Sequence, residues 1–134
     1  MFSVSRVSWV SWIWGAAIAV VITGELLPGN SPVLAWAASL RLSDKEMHFA
    51  AYLLLATIPA LGFEFRKGIP SVLSMILLGV VLEFAQRLIP GRNFEIADMV
   101  ANTLGVLAGL ALALTIRMLF PSPHDATAPP AGRD

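Results

Sequence analysis

The sequence predicts an all-α fold, a four-transmembrane-helix bundle with both termini on the same side, on three observations. Hydrophobic residues fill 57% of the 134 positions and charged residues only 13%, about half the charged share of an average soluble domain. Four apolar stretches each approach the roughly 20 residues that a helix needs to cross a hydrocarbon core. Proline, glycine and charge clusters that interrupt helices stand between them. Net charge is zero and cysteine is absent. Disulfides, thiolate catalysis and cysteine-held metals are thereby excluded, and no global field recruits nucleic acid.

The first helix is expected at about 7–27 and carries no charge until Glu25. Arg6 before it and Ala35-Trp36-Ala37 after it resemble parts of a secretion signal. A signal's apolar core is only about 7–15 residues long, however, and the triplet lies well beyond this longer run, so a retained helix is expected. Pro28-Gly29-Asn30-Ser31-Pro32 then breaks the chain. A second helix, about 44–63, opens on Ser43-Asp44-Lys45-Glu46, a capping box in which Ser43 caps the helix and Glu46 bonds back. Glu64-Phe65-Arg66-Lys67-Gly68 reads as a charged loop. Pro70 marks the start of a third helix, about 70–89, since proline is tolerated in a first turn, and Pro90-Gly91 ends it. The fourth helix, about 98–119, carries Gly105-x-x-x-Gly109, a close-packing seam.

Residues 1–120 thus form one transmembrane domain, and the tail 121–134 has too little apolar surface to fold and is expected to be disordered. Trp9, Trp12, Trp14 and Trp36 read as interfacial anchors. The side of the termini carries Arg6, Arg66, Lys67, Arg117 and Arg133, and the other side carries Arg41, Lys45, Arg87 and Arg92. That excess places the termini in the cytoplasm by the positive-inside rule.

The remaining polar residues gather at the ends of the helices opposite the termini. Lys45, His48 and Tyr52 follow at spacings of three and four and line one helical face. Glu83, Gln86 and Arg87 close the third helix, where Glu83 and Arg87 are four apart and suited to pair. The connector adds Arg92 and Glu95, and the fourth helix opens with Asp98 and Asn102 on one stripe. A charge within a span costs about 2.5–3.5 kcal/mol on insertion scales and usually faces a protein interior. His48, Glu83 and Asp98 are therefore the candidates for acid–base catalysis. Lys45, His48, Tyr52, Glu83, Gln86, Arg87, Arg92, Asp98 and Asn102 are the candidates for ligand binding. A cationic rim of Lys45, Arg87 and Arg92 suits a phosphate or carboxylate. A lone histidine makes a zinc site improbable, and no cofactor motif is present, so neither metal nor cofactor is expected.

Asp44-Lys45-x-x-His48-Phe49-x-x-Tyr52, Glu83-x-x-Gln86, and Pro90-Gly91-Arg92-x-Phe94-x-x-x-Asp98-x-x-x-Asn102-x-x-Gly105 together resemble the VanZ-like family of small bacterial membrane proteins. The resemblance covers roughly residues 40–118 and departs from the family at Asn93 and Glu95. It implies a multi-pass protein of the bacterial inner membrane in a cell-envelope setting. The family takes its name from an accessory protein of teicoplanin resistance, so a link to glycopeptide antibiotic resistance is among the expectations. Three functions follow: an envelope protein binding a lipid-linked or peptidoglycan-related ligand, a membrane-embedded hydrolase or transferase using His48, Glu83 and Asp98, and a structural or transport subunit. Membrane lipids are the expected partners.

Overall fold

The computed structural model describes residues 3–121. Among them the fold is all-α, with five helices: α1 (Ser3–Glu25), α2 (Pro32–Ser39), α3 (Asp44–Gly62), α4 (Phe65–Gln86) and α5 (Ile96–Leu119). The expected disordered tail, Pro121 apart, lies outside the described residues. The 66–86 part of α4 and all of α5 are long and apolar enough to cross a membrane, each with a mean hydropathy of 2.0. The apolar stretch Trp9–Glu25 of α1 is shorter.

Four long helices alternate in direction, so the end of α1, the start of α3, the end of α4 and the start of α5 meet at one end of the bundle. At the opposite end Val10 packs against Gly62. Arg117, near the close of α5, donates from Nε to the Ala60 carbonyl at 2.9 Å and from Nη2 to that of Phe63 at 2.6 Å. A helix leaves its last carbonyls without partners; Arg117 supplies donors to those of α3. The start of α1 and the finish of α5 therefore share one end.

Glycine sets the closest approach. A Cβ on Gly105 would overlap the Phe49 carbonyl, and one on Gly109 the Leu53 carbonyl. The expected seam is thus the contact of α5 with α3, and Thr57 Oγ1 also donates across it to the Gly109 carbonyl at 3.3 Å. The buried core beside it is Tyr52, Leu55, Ala56, Val72, Met75 and Val106.

Several expected boundaries are corrected. α1 spans 3–25 rather than 7–27, and α5 starts at 96 rather than 98. The stretch between the break at 28–32 and Ser43, to which no helix was assigned, contains α2, capped by Ser31, whose side chain accepts from the Leu34 amide, with Pro32 in the first turn. The supposed charged loop 64–68 is mostly the first turn of α4, which runs 65–86 rather than 70–89, and Pro70 lies inside the helix. Charge does not stop a helix whose polar face is hydrated. The capping box stands as read: the Ser43 amide donates to Glu46 Oε2 at 2.7 Å and the Glu46 amide to Ser43 Oγ at 3.2 Å.

Trp14 also departs from the anchor reading. Pro59 sits inside α3 and has no N–H to give the Leu55 carbonyl one turn back. Trp14 Nε1 donates to that carbonyl at 2.9 Å, and its ring meets Phe63 edge-on at 5.7 Å. Trp9, Trp12 and Trp36 are exposed. Trp14→Phe is expected to lower stability by about 1–3 kcal/mol by orphaning a part-buried carbonyl. In a Pro59→Ala background most of that loss should vanish, because the new amide reaches the same oxygen. A double-mutant cycle of thermal unfolding in detergent checks this; equal losses in both backgrounds would reject it.

Candidate functional site

Chain direction brings four helix ends to one depth, and packing turns their polar residues toward one another. Ser43 starts α3 in a register that points His48 and Tyr52 inward, both buried. The Gly105–Gly109 seam points Asp98 and Asn102 inward from α5, again buried. Gly79 of α4 makes room for them: a Cβ there would lie 3.1 Å from both the Asn102 side chain and the Tyr52 ring. Glu83 and Gln86 complete the wall from α4, with Glu83 wholly inaccessible.

His48 is the hub. Its Nδ1 lies 3.0 Å from Asn102 Oδ1 and 3.5 Å from Glu25 Oε1, while Nε2 lies 3.8 Å from Asp44 Oδ2. Two acceptors facing Nδ1 assign the ring proton to it. The Glu25 carboxylate also faces the Tyr52 hydroxyl, and the backbone carbonyl of Glu25 accepts from Gln86 Nε2 at 3.2 Å. Glu83 Oε1 accepts from the Glu95 amide at 2.7 Å, which ties the α4–α5 connector to the cluster. Glu83 Oε2 and Asn102 Nδ2 are buried with no hydrogen-bond partner among the described residues.

Lys45 stands at the rim, 2.6 Å from Glu95 Oε2 and 3.2 Å from Asp98 Oδ1. Its hydrogen bond to Glu95 holds that carboxyl below the usual carboxylate range. Beside the rim opens a cleft of about 370 Å³, lined by residues including Asn30, Ser31, Leu34, Asp44, Met47 and Arg92. Its floor is a contact between two loops, where the Gly29 amide donates to the Pro90 carbonyl at 3.0 Å. Gly91 adopts φ +73°, and a Cβ on Gly29 would overlap its carbonyl.

Of the nine residues named for ligand binding, His48, Tyr52, Glu83, Gln86, Asp98 and Asn102 share the buried cluster, and Lys45 guards its rim. Arg92 lies apart, half-buried in the cleft. Arg87 does not pair with Glu83 as expected. Its guanidinium stacks 4.0 Å from the Phe94 ring centroid and 5.2 Å from that of Phe84, the aromatic faces taking the cation. Glu25 was missed. It is only 7% exposed, and the available signal was that it is the one charge in the apolar run 7–27.

Residues 28–119 match the VanZ/LLP1 family. An uncharacterized protein of Schizosaccharomyces pombe is 30% identical over 83 residues, 59% of this chain and 49% of the yeast protein. The chain therefore spans about half the length of the curated relative it matches. No solved structure matches it.

Proposed function

The chain belongs to the VanZ/LLP1 family, and from that premise we propose that it is a multi-pass protein of the bacterial inner membrane that binds the anionic head of a lipid-linked molecule. The four long helices cross the bilayer, with the polar cluster at the outer face and the termini in the cytoplasm. Two helices of spanning length and apolar side chains left on the outside of the bundle, such as Leu54, Leu73, Leu77, Leu104 and Leu107, support the crossing. Soluble proteins rarely leave so much contiguous apolar surface bare. Cysteine placed at exposed Ser39 should react with an impermeant reagent in intact cells, and cysteine at exposed Lys67 only after permeabilisation. The reverse pattern would invert the orientation.

The observation that carries the ligand reading is Arg92. It lines a cleft open at the cluster's mouth, and no acid among the described residues forms an ion pair with it. A half-buried guanidinium without a counter-charge suits a phosphate, which it engages through two parallel bonds. The adjoining α2 exposes Val33 and Trp36, with Leu40 and Leu42 just beyond it, an apolar bed for an acyl or prenyl chain beside that head. In purified protein, Arg92→Ala should weaken binding of a short-chain lipid phosphate at least tenfold, because a hydrogen bond to a charged group contributes about 1.5–3 kcal/mol. Arg87→Ala, removing a cation already stacked on rings, should leave binding near native. Equal effects of the two changes would defeat the reading.

A further inference from the structure

We infer that Asp44, His48 and Asp98 form a binding site for a divalent transition-metal ion at the base of the cleft. One oxygen of each carboxylate and a ring nitrogen of His48 lie within 4.8 Å of one another, a spacing at which all three can converge on one ion. The histidine is set up for this. Asn102 Oδ1, 3.0 Å away, takes the Nδ1 proton, so in the neutral ring Nε2 presents a lone pair toward Asp44 Oδ2 at 3.8 Å. A lone pair facing a carboxylate oxygen repels it unless a proton or a metal ion stands between them. Metal-ligating histidines characteristically give their other N–H to a carboxylate or carbonyl oxygen, the arrangement that Asn102 supplies.

A second observation is independent of the three ligands. Glu25 and Glu83 are buried beside them. Neither oxygen of Glu25 meets a donor in hydrogen-bond geometry, and Glu83 Oε2 has no such partner. Asp98 Oδ1 is likewise buried without a hydrogen bond, and Lys45, 3.2 Å from it, already serves Glu95 at 2.6 Å. A divalent ion held by the three ligands supplies a cation for that oxygen. One imidazole and two carboxylates suit ions between the oxygen-seeking and nitrogen-seeking classes, Mn²⁺ and Zn²⁺ among them. Three protein ligands leave coordination positions open. Asp44 also lines the cleft that holds Arg92, which puts one of the three ligands at its wall.

The test uses full-length protein with any affinity tag removed, stripped with chelator, and titrated with Mn²⁺ while the resonance signal of the free ion is followed. One saturable site is expected, with Zn²⁺ competing. Asp44→Asn and Asp98→Asn should each weaken it about tenfold or more, in line with the sensitivity of metal sites to their surrounding groups. Lys45→Gln should strengthen it by removing a competing cation from Asp98, a gain that misfolding cannot produce. Arg92→Ala should leave Mn²⁺ binding unchanged while reducing lipid-phosphate binding, which separates this inference from the ligand reading. Absence of saturable binding, or native-like binding in the Asp44→Asn/Asp98→Asn double variant, overturns the site.

Discussion

Glu83→Gln is expected to accumulate at the native level and yet fail to restore any phenotype that the native chain restores in a deletion strain. Glutamine keeps the Oε1 acceptor that holds the Glu95 amide at 2.7 Å, so the connector and the start of α5 stay in place. The change in stability should be within about 1 kcal/mol, the size of one net hydrogen bond. What disappears is a fully buried carboxyl group that shares its surroundings with His48 and Asp98. Glu83→Leu removes the acceptor as well. It should lower stability by about 1–3 kcal/mol by leaving the Glu95 amide unpaired, and should deplete the protein. Immunoblotting beside complementation separates the two. Full complementation by Glu83→Gln would make the cluster a structural device rather than a functional one.

The largest loss of stability should come from Gly105→Leu. The side chain would have to occupy the space of the Phe49 carbonyl on α3, which is backbone and cannot rotate away. Where lipid gives helices no hydrophobic reason to associate, close backbone approach is a main source of attraction. Forcing the seam apart should therefore cost about 3 kcal/mol or more, at the upper end of overpacking effects. Leu107→Ala, two residues on but on the exposed face, should stay within about 0.5 kcal/mol. Thermal unfolding in detergent distinguishes them, and similar values would remove the seam from the account of the fold. Since the seam also aims Asp98 and Asn102 inward, the same change should loosen His48 from Asn102.

The long helices were legible because apolar runs of spanning length leave few alternatives, and Pro90-Gly91 closes one of them unambiguously. α2 was not, because eight residues fall short of any span signal, although Ser31-Pro32 is a recognisable cap and first turn. The start of α4 was hidden by taking Arg66 and Lys67 for a loop. For the site, helix direction revealed depth, so His48, Glu83, Asp98 and Asn102 could be grouped from sequence. Rotation and long-range partners could not be read. Nothing local says that Glu25 reaches His48 from another helix, or that Phe94 attracts Arg87 away from Glu83. Spacing of four residues offers a pairing, and a ring brought in by the connector offers a competing one.

The contact of Gly29 with Gly91 has a consequence for how such a chain can diverge. Exposed leucines such as Leu104 and Leu107 can drift among apolar residues with little effect, because no packed neighbour dictates their shape. Position 29 has no such freedom: the first carbon of any side chain would meet the Gly91 carbonyl, and Gly91 itself holds a backbone angle that glycine adopts most readily. These two loops help fix the end of α1, and Glu25 is the last residue of that helix. A mutation at either glycine would therefore reach the histidine without touching it, by letting a whole helix carry its carboxylate away.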